Sequence, residues 1–157
     1  MLDITVLAIG KMKDKNLAAA AREYFKRLKP FVRVRMVELG ALPFASNNHE
    51  AIKRLEAERI LEFLHKEENR PGGATAFLLA ERGINFKSSP DMAAWLNKKN
   101  PLILVIGGAL GFPDELYKEY PQISLSPLTL PHELARVVLL EQLYRAASIL
   151  NKKDYHY

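Results

Sequence analysis

The spacing of apolar residues along the chain switches repeatedly between the period of a strand and the period of a helix. Leu2–Ile9 is an apolar, β-branched run that predicts a first strand. Residues 17–28 have helical spacing, and Pro30 ends that helix. In residues 32–39 valine and methionine alternate with arginine, which predicts a half-buried strand at or near a sheet edge.

The remainder of the chain continues this alternation. A helix is predicted to begin near Asn47, whose side chain is placed to cap it, and to turn Leu55 inward together with other apolar residues. Two later runs are continuously apolar, which is typical of central parallel strands that are buried on both faces. The predicted elements after this helix are a strand over 75–80, a loop at 81–83, a helix from 88, a strand over 101–106, a helix over 113–118, a strand over 122–125 and the longest helix over 131–150.

This order of elements predicts an α/β fold, with a mostly parallel sheet covered by helices on both faces. The chain is too short for two full domains, so a single domain over residues 1–157 is expected. Ligands bind such sheets at the carboxyl ends of the strands. We therefore expect a ligand site among the segments that follow residues 80, 106 and 125.

The composition excludes several kinds of chemistry. Because the chain has no cysteine, it has no disulfide, no thiolate metal site and no cysteine nucleophile. The four histidines lack metal-ligand spacing, so no metal is expected. The first apolar run is too short for a signal peptide, and no run reaches membrane-spanning length. We therefore expect a cytoplasmic protein without a membrane partner.

Positive charge is concentrated near the amino terminus. Nine basic residues lie between Lys11 and Arg35 against only Asp14 and Glu23, so this segment carries +7 in a chain of net charge +5. A localised positive field attracts phosphate backbones, which makes this basic segment a candidate RNA-docking surface. A solvated helix face that keeps the protein soluble gives the same pattern.

A glycine-rich segment, Gly107-Gly108-x-x-Gly111, directly follows a buried strand. Glycine allows the backbone to approach a ligand closely. The segment is neither the Gly-x-Gly-x-x-Gly of a dinucleotide site nor a phosphate loop, which ends in Gly-Lys-Ser/Thr. It predicts either a ligand-binding loop or a tight turn between a strand and a helix.

Residues 125–132 form a second candidate segment. Apolar residues alternate with Ser126 and Thr129, and two prolines stiffen a stretch that is too irregular for a strand or a helix. Such a segment can form a dry wall for an adenine while its backbone groups bind the ring edge. The alternative is an ordinary loop with a helix cap at Thr129.

The start of the last helix and the chain's end form a third candidate. His132 and Arg136 lie four residues apart, at the positive end of the helix dipole, which suits an anion or a base that is losing a proton. The chain ends with Tyr155-His156-Tyr157, an aromatic sequence that is unusual for a free tail. Both features also fit purely structural roles.

Taken in order, these segments resemble one family. The late strand with IGGALGF, the following LSPLTLPHELARVVLLEQLYRA and the terminal Tyr-His closely resemble the RlmH family. Members of that family are ribosomal RNA large subunit pseudouridine N3-methyltransferases of the SPOUT superfamily. The opening ITVLAIGKMKD and the aromatic EYFKRL also match, so the resemblance covers essentially the whole chain.

The resemblance implies a SPOUT methyltransferase domain whose C-terminal segment forms a deep trefoil knot, against the general rule that chains do not knot. It implies S-adenosyl-L-methionine as the methyl donor. It also implies a homodimer with the last helices at the interface, which suits the apolar Leu134, Val137, Val138 and Tyr144. The donor-binding positions that the resemblance carries over are Leu79, Gly107, Leu125, Ser126, Pro127, Leu128, Thr129 and Leu130.

The implied reaction is methylation of N3 of pseudouridine 1915, in helix 69 of the 23S rRNA of assembled ribosomes. N3 carries a proton that must leave before the nitrogen can attack the methyl group. We hypothesise that His132 or His156 accepts this proton, because histidine titrates near neutral pH. Arg136 would stabilise negative charge on the uracil oxygens. Relatives are expected to carry a basic residue after the terminal Tyr-His, whereas this sequence ends at Tyr157, which questions a tail-borne contact to a phosphate or base.

Three other functions stay open on the sequence. One is another SPOUT RNA methyltransferase, acting on tRNA or on a ribose 2′-hydroxyl. Another is a non-catalytic ribosome-binding factor with a vestigial nucleotide pocket. The third is a flavodoxin-like cofactor binder.

Overall fold

The computed structural model describes residues 1–43 and 48–155. Strands and helices alternate along it, as the apolar spacing predicted. In chain order the elements are β1 (Leu2–Ile9), α1 (Lys15–Leu28), β2 (Val32–Leu39), α2 (His49–Glu68), β3 (Thr75–Asn85), α3 (Ser89–Lys98), β4 (Leu102–Ile106), α4 (Asp114–Glu119), β5 (Gln122–Ser124) and α5 (His132–Leu150). Among these helices none is both long and apolar enough to cross a membrane, a finding that concerns only the described part of the chain.

The five strands form one parallel sheet in the order β2-β1-β4-β3-β5. The arginine-bearing β2 lies at one edge, and the continuously apolar β4 lies in the middle. Both positions agree with the sequence prediction. Because every pair is parallel, all carboxyl ends lie along the same border of the sheet.

Each central strand divides its side chains between two cores, because successive residues of a strand point to opposite faces. In β1, Ile4 and Val6 join the core that α1, α3 and α5 cover. Leu7 and Ile9 of the same strand join the core beneath α2 and α4. Helices therefore cover both faces of the sheet, as predicted, and this two-sided burial explains the continuous apolar runs.

Side-chain caps set the beginnings of several helices. The Asp14 carboxylate accepts hydrogen bonds from the backbone N–H groups of Asn16 and Leu17 at 2.8 and 3.0 Å and begins α1. The side chain of Asn48 accepts from the N–H of Ala51 at 3.2 Å and begins α2. The cap predicted at Asn47 lies outside the described residues.

Three details predicted from the sequence are wrong. β3 continues to Asn85 through a bulge in place of the loop at 81–83, because Leu79 and Ile84 both pair with Ile123 of β5. Leu55 lies on the solvent side of α2 with an exposed fraction of 47%. The longest helix is α2, with 20 residues, since α5 has 19.

Candidate active site

The bulged part of β3, the carboxyl end of β4 and the start of α5 line an open cavity of about 620 Å³. The three segments singled out in the sequence all contribute to it or to a pocket of about 80 Å³ beside it. The residues that line the larger cavity are Leu79, Glu81, Ile106, Gly107, Gly108, Ala109, Leu110, Gly111, Phe112, Tyr117, Thr129, Leu130, Pro131, His132 and Ala135.

The glycine loop, residues 107–111, forms one wall of the cavity. It turns sharply because the N–H of Gly111 donates to the carbonyl of Gly108 at 3.0 Å, and Gly111 has a φ of 72°. A side chain rarely adopts that φ. The buried ring of Phe112 packs against Gly107, where a Cβ would lie 3.2 Å from it. The loop therefore presents backbone to the cavity.

Residues 125–131 form the opposite wall. The Ser124 hydroxyl donates to the carbonyl of Ser126 at 2.9 Å, and the Ser126 hydroxyl accepts from the N–H of Leu128 at 3.0 Å. These bonds fix an irregular backbone that no ladder of strand or helix bonds supports. Thr129 and Leu130 line the large cavity.

The smaller pocket adjoins this wall and receives other members of the predicted donor-binding set. Leu125, Ser126 and Leu128 line it, and Leu79 and Leu130 border both spaces. The structure thus brings together seven of the eight positions that the resemblance carried over. The exception is Pro127, which lines a separate depression beside Asn85 and Phe86.

His132 is the first residue of α5 and lines the large cavity in a half-buried position. The preceding Pro131 occupies the N-cap position, and no side chain caps the helix there. The helix cap at Thr129, which the alternative interpretation of residues 125–132 included, is therefore wrong. Free N–H groups at a helix start favour negative charge nearby, so this end of α5 suits a group that is losing a proton.

Arg136 lies one turn further along α5 and is fully buried, with an exposed fraction of 0%. Its guanidinium donates to the Glu38 carboxylate at 3.0 Å and to the carbonyls of Ile9 and Gly10 at 2.9 and 2.8 Å. Burial lowers the pKa of Arg136, and the charges of Glu38 and Glu133 oppose that shift. The side chain therefore joins α5 to the ends of β1 and β2 instead of pointing into the cavity.

The start of α5 also holds the loop in which the basic segment begins. The Glu133 carboxylate accepts hydrogen bonds from the backbone N–H groups of Lys13 and Asp14, the latter at 3.1 Å. All nine basic residues between Lys11 and Arg35 are exposed. The basic segment therefore begins directly beside His132.

The third predicted catalytic residue, His156, lies outside the described residues. The tail that leads to it folds back on α5, where the ring of Tyr155 meets that of Tyr144 edge-on at 4.6 Å between centroids. The Arg145 guanidinium lies 5.0 Å from the centre of the Tyr155 ring. The aromatic tail is thus packed on its own chain as far as Tyr155.

Sequence reasoning missed several lining residues. Tyr117, on α4, is held over the cavity between Phe112, with ring centroids 5.6 Å apart, and the Arg82 guanidinium at 5.7 Å. No local pattern marks Tyr117, because α4 has only six residues. Glu81 was signalled by its place after the apolar part of β3. Within the described residues, no three histidine, aspartate or glutamate side chains group in a way that could hold a metal ion.

Comparisons with known proteins find similarity along essentially the whole chain. A family model described as "Predicted SPOUT methyltransferase" matches residues 2–156. The ribosomal RNA large subunit methyltransferase H of Pelotomaculum thermopropionicum is 40% identical, and the alignment covers 100% of both chains. The protein of the same name from Pelobacter propionicus is 37% identical over 98% of this chain and 99% of its own.

Solved structures with the same fold share little sequence with this chain. One, from a study of 2-OH methylation of C/U34 on tRNA, aligns with a TM-score of 0.52 at 14% identity, over 94% of this chain and 92% of its own. A probable rRNA-methyltransferase from Porphyromonas gingivalis aligns with a TM-score of 0.51 at 13% identity, over 95% and 70%. At such identities the likeness concerns the fold alone.

Proposed function

Because the chain belongs to the SPOUT methyltransferase family, we propose that it transfers a methyl group from S-adenosylmethionine to N3 of a pseudouridine in large-subunit ribosomal RNA. The full-length similarity to proteins named ribosomal RNA large subunit methyltransferase H supports this choice of substrate. The proposed target is the helix 69 pseudouridine of assembled ribosomes in the cytoplasm.

The observation that carries the proposal is the convergence of the bulged part of β3, the glycine loop and residues 125–132 on one cavity and the pocket beside it. The cavity's volume of about 620 Å³ lies within the range of roughly 300–1,000 Å³ that is usual for small-molecule sites. One wall is glycine backbone, and the other combines leucine side chains with the irregular backbone of residues 125–131. This combination suits a flat, apolar adenine whose edge needs hydrogen bonds.

We assign the donor to this cavity and the pocket beside it. Leu79, Gly107, Thr129 and Leu130 would contact the adenosyl group, with Leu125, Ser126 and Leu128 extending the wall. Only the backbone of Pro127 would contribute, since its side chain lies in another depression. When bound, the donor supplies a methyl group on a positively charged sulfur, which is already activated for transfer.

The chain's own contribution is to position the uracil ring and take its proton. An imide nitrogen becomes nucleophilic only as its proton leaves. His132 faces the cavity at the positive end of α5, so its ring is the proposed acceptor of the N3 proton. The helix start would stabilise the charge that develops on the uracil oxygens. His156 remains the second candidate acceptor.

The buried Arg136 fits a positioning role better than direct contact with the substrate. Its three hydrogen bonds fix the second turn of α5 against the ends of β1 and β2. Since His132 lies one turn before it, this anchor would hold the imidazole at a constant place in the cavity. Loss of Arg136 would then reduce the rate by displacing His132.

We also propose a homodimer and a C-terminal trefoil knot. Leu134, Val137 and Val138 remain only half-buried on α5, which leaves an apolar strip available for a second copy. The ring of Tyr144 packs on Tyr24 and Tyr155 of its own chain, so only part of it could contact a second copy. Sedimentation equilibrium would test the dimer: a monomer at micromolar concentration would contradict it.

The function is tested by methyl transfer from labelled donor to three substrates: assembled ribosomes, free ribosomal RNA and bulk tRNA. We expect transfer to ribosomes, with the label found by mass spectrometry on N3 of a pseudouridine. Transfer to tRNA, or label on a ribose, would replace the proposal with another RNA methyltransferase activity. Absence of donor binding by calorimetry at millimolar concentration would favour a non-catalytic ribosome-binding factor. Visible absorbance of the purified protein would instead point to a flavodoxin-like cofactor binder.

The role of His132 is tested with His132→Gln. We expect a loss of at least a hundredfold in the rate of methyl transfer with donor affinity unchanged, since general-base catalysis contributes about 10²–10⁴-fold. His65→Gln is the control, because His65 lies on α2 beside Glu119 and away from the cavity. A His132→Gln rate within threefold of the parent would shift the assignment to His156.

A further inference from the structure

A buried carboxylate lies directly behind the glycine loop. Glu56, on α2, has an exposed fraction of 6% and lies on the buried face of the helix, between Ile52 and Ile60. A Cβ built on Gly108 would lie 2.8 Å from Glu56 Oε2 and 3.2 Å from the side chain of Ile9. The carboxylate therefore occupies the space that any side chain at position 108 would need.

This contact gives a specific reason for glycine at position 108. Gly108 does not have a positive φ, unlike Gly111, so its backbone conformation does not require glycine. The requirement comes instead from the close approach of Glu56. The space that a side chain at position 108 would need is thus occupied by Glu56 and Ile9.

Contacts from α2 and from the segment that follows β2 hold Glu56 in place. The backbone of Leu42 hydrogen-bonds its carboxylate, and the positive charge of Arg59 lies nearby on α2. Arg59 in turn donates to the carbonyl of Gly40 at 2.5 Å. A buried carboxylate is costly unless such partners compensate it, so these contacts fix the position of the carboxylate beside Gly108.

We propose that Glu56 is a positioning residue for methyl-donor binding: its side chain braces the glycine loop from behind and holds the loop backbone in the shape that receives the donor. The inference rests on the proposed function. The side chain does not reach the cavity surface and is not among the residues that line it. Glu56 would therefore affect donor binding indirectly, by fixing the position of the Gly108 backbone.

The experiment measures donor affinity by calorimetry in full-length variants. Glu56→Gln keeps the length and an acceptor oxygen, so its affinity should stay within threefold of the parent. Glu56→Asp keeps the charge but withdraws the carboxylate from Gly108, so its affinity should fall at least tenfold. If Glu56→Gln keeps the donor affinity and Glu56→Asp loses it, the length of the side chain matters and its charge does not.

Glu67→Gln and Glu67→Asp form the matched control. Glu67 is also a buried glutamate of α2, with an exposed fraction of 7%, but it pairs with Arg35 and Arg70 at the opposite border of the sheet. Both control variants should bind the donor as the parent does, even where thermal unfolding shows that they are less stable. An equal loss of affinity in Glu56→Asp and Glu67→Asp would overturn the inference, because the effect would then reflect stability alone.

A size exchange provides the second test. Gly108→Ala should weaken donor binding at least tenfold in the parent, because the new methyl group displaces Glu56 and the loop. In a Glu56→Ala background the same substitution should weaken donor binding less than threefold, since the carboxylate 2.8 Å from the added methyl group is then absent. Equal costs in both backgrounds, or a Glu56→Asp affinity within twofold of the parent, would overturn the role of Glu56 while the proposed function stood. Failure of the parent itself to bind the donor would overturn both.

Discussion

Arg136 and Glu38, 98 residues apart in the chain, form an ion pair at 3.0 Å in which the arginine is completely buried. The pair joins the first turns of α5 to the end of β2, and two carbonyls of the β1 end complete the arrangement. The part of α5 that borders the cavity is therefore anchored to the sheet by one side chain.

Removal of this anchor is expected to lower stability strongly. Arg136→Ala leaves Glu38 and two carbonyls without their donor, and we expect the free energy of unfolding to fall by about 3 kcal/mol. Arg27→Ala is the control, since Arg27 pairs with Glu23 at 2.9 Å within α1 and both side chains are exposed. Its removal should cost less than about 1 kcal/mol. Urea denaturation measures both, and equal losses would contradict a special role for Arg136.

The glycine loop should be sensitive to a side chain at Gly111. Gly111→Ala and Gly72→Ala both place alanine at a positive φ, 72° and 78°, so each should cost about 1–2 kcal/mol of stability. Gly72 lies at the opposite border of the sheet, with nothing near its missing Cβ. Donor binding should weaken only in Gly111→Ala. Comparable affinities in the two variants would mean that the loop conformation does not control the donor site.

The basic segment should act on the RNA substrate and not on the donor. Lys13 and Lys15 are exposed beside the start of α5, so Lys13→Glu/Lys15→Glu should reduce methyl transfer to ribosomes about tenfold or more and flatten its dependence on salt. Lys98→Glu/Lys99→Glu makes the same charge change at the exposed end of α3. That control should retain activity. Docking elsewhere on the protein would be indicated by equal losses in both pairs.

The buried Glu56 should leave a signature in the pH dependence of stability. Burial raises its pKa, while the Leu42 hydrogen bond and the charge of Arg59 oppose the shift. The Glu56 carboxyl group therefore stays protonated to a higher pH in the folded protein than in the unfolded chain. Its contribution to the free energy of unfolding falls as the pH rises from the ordinary glutamate pKa to the raised value. Glu56→Gln lacks the titration.

Denaturation of the parent and Glu56→Gln across this pH window provides the measurement. The free energy of unfolding of the variant, relative to the parent, should increase with pH and become constant above the raised pKa. A flat difference would show that folding leaves the proton affinity of Glu56 unchanged. A decrease would show that its partners outweigh burial.

The local spacing of apolar residues, glycine and proline predicted most of the architecture. The alternation of strand and helix, the edge position of β2 and the border at which the ligand segments meet could all be predicted. Each depends on short-range periodicity, or on the geometric fact that parallel strands end together. The bulge in β3 could not be predicted, because it depends on the pairing of both Leu79 and Ile84 with Ile123 of β5, a tertiary contact.

The sequence by itself determined which segments surround the cavity, since glycine, proline and the apolar runs act on the backbone where they stand. Only the tertiary structure decided what lies behind those segments. Arg136 meets Ile9 across 127 residues, and Glu56 meets Gly108 from a helix on the far side of the loop. From helical spacing alone, a charged residue is predicted to face solvent. Whether it is buried and paired depends on tertiary contacts, which local spacing does not encode.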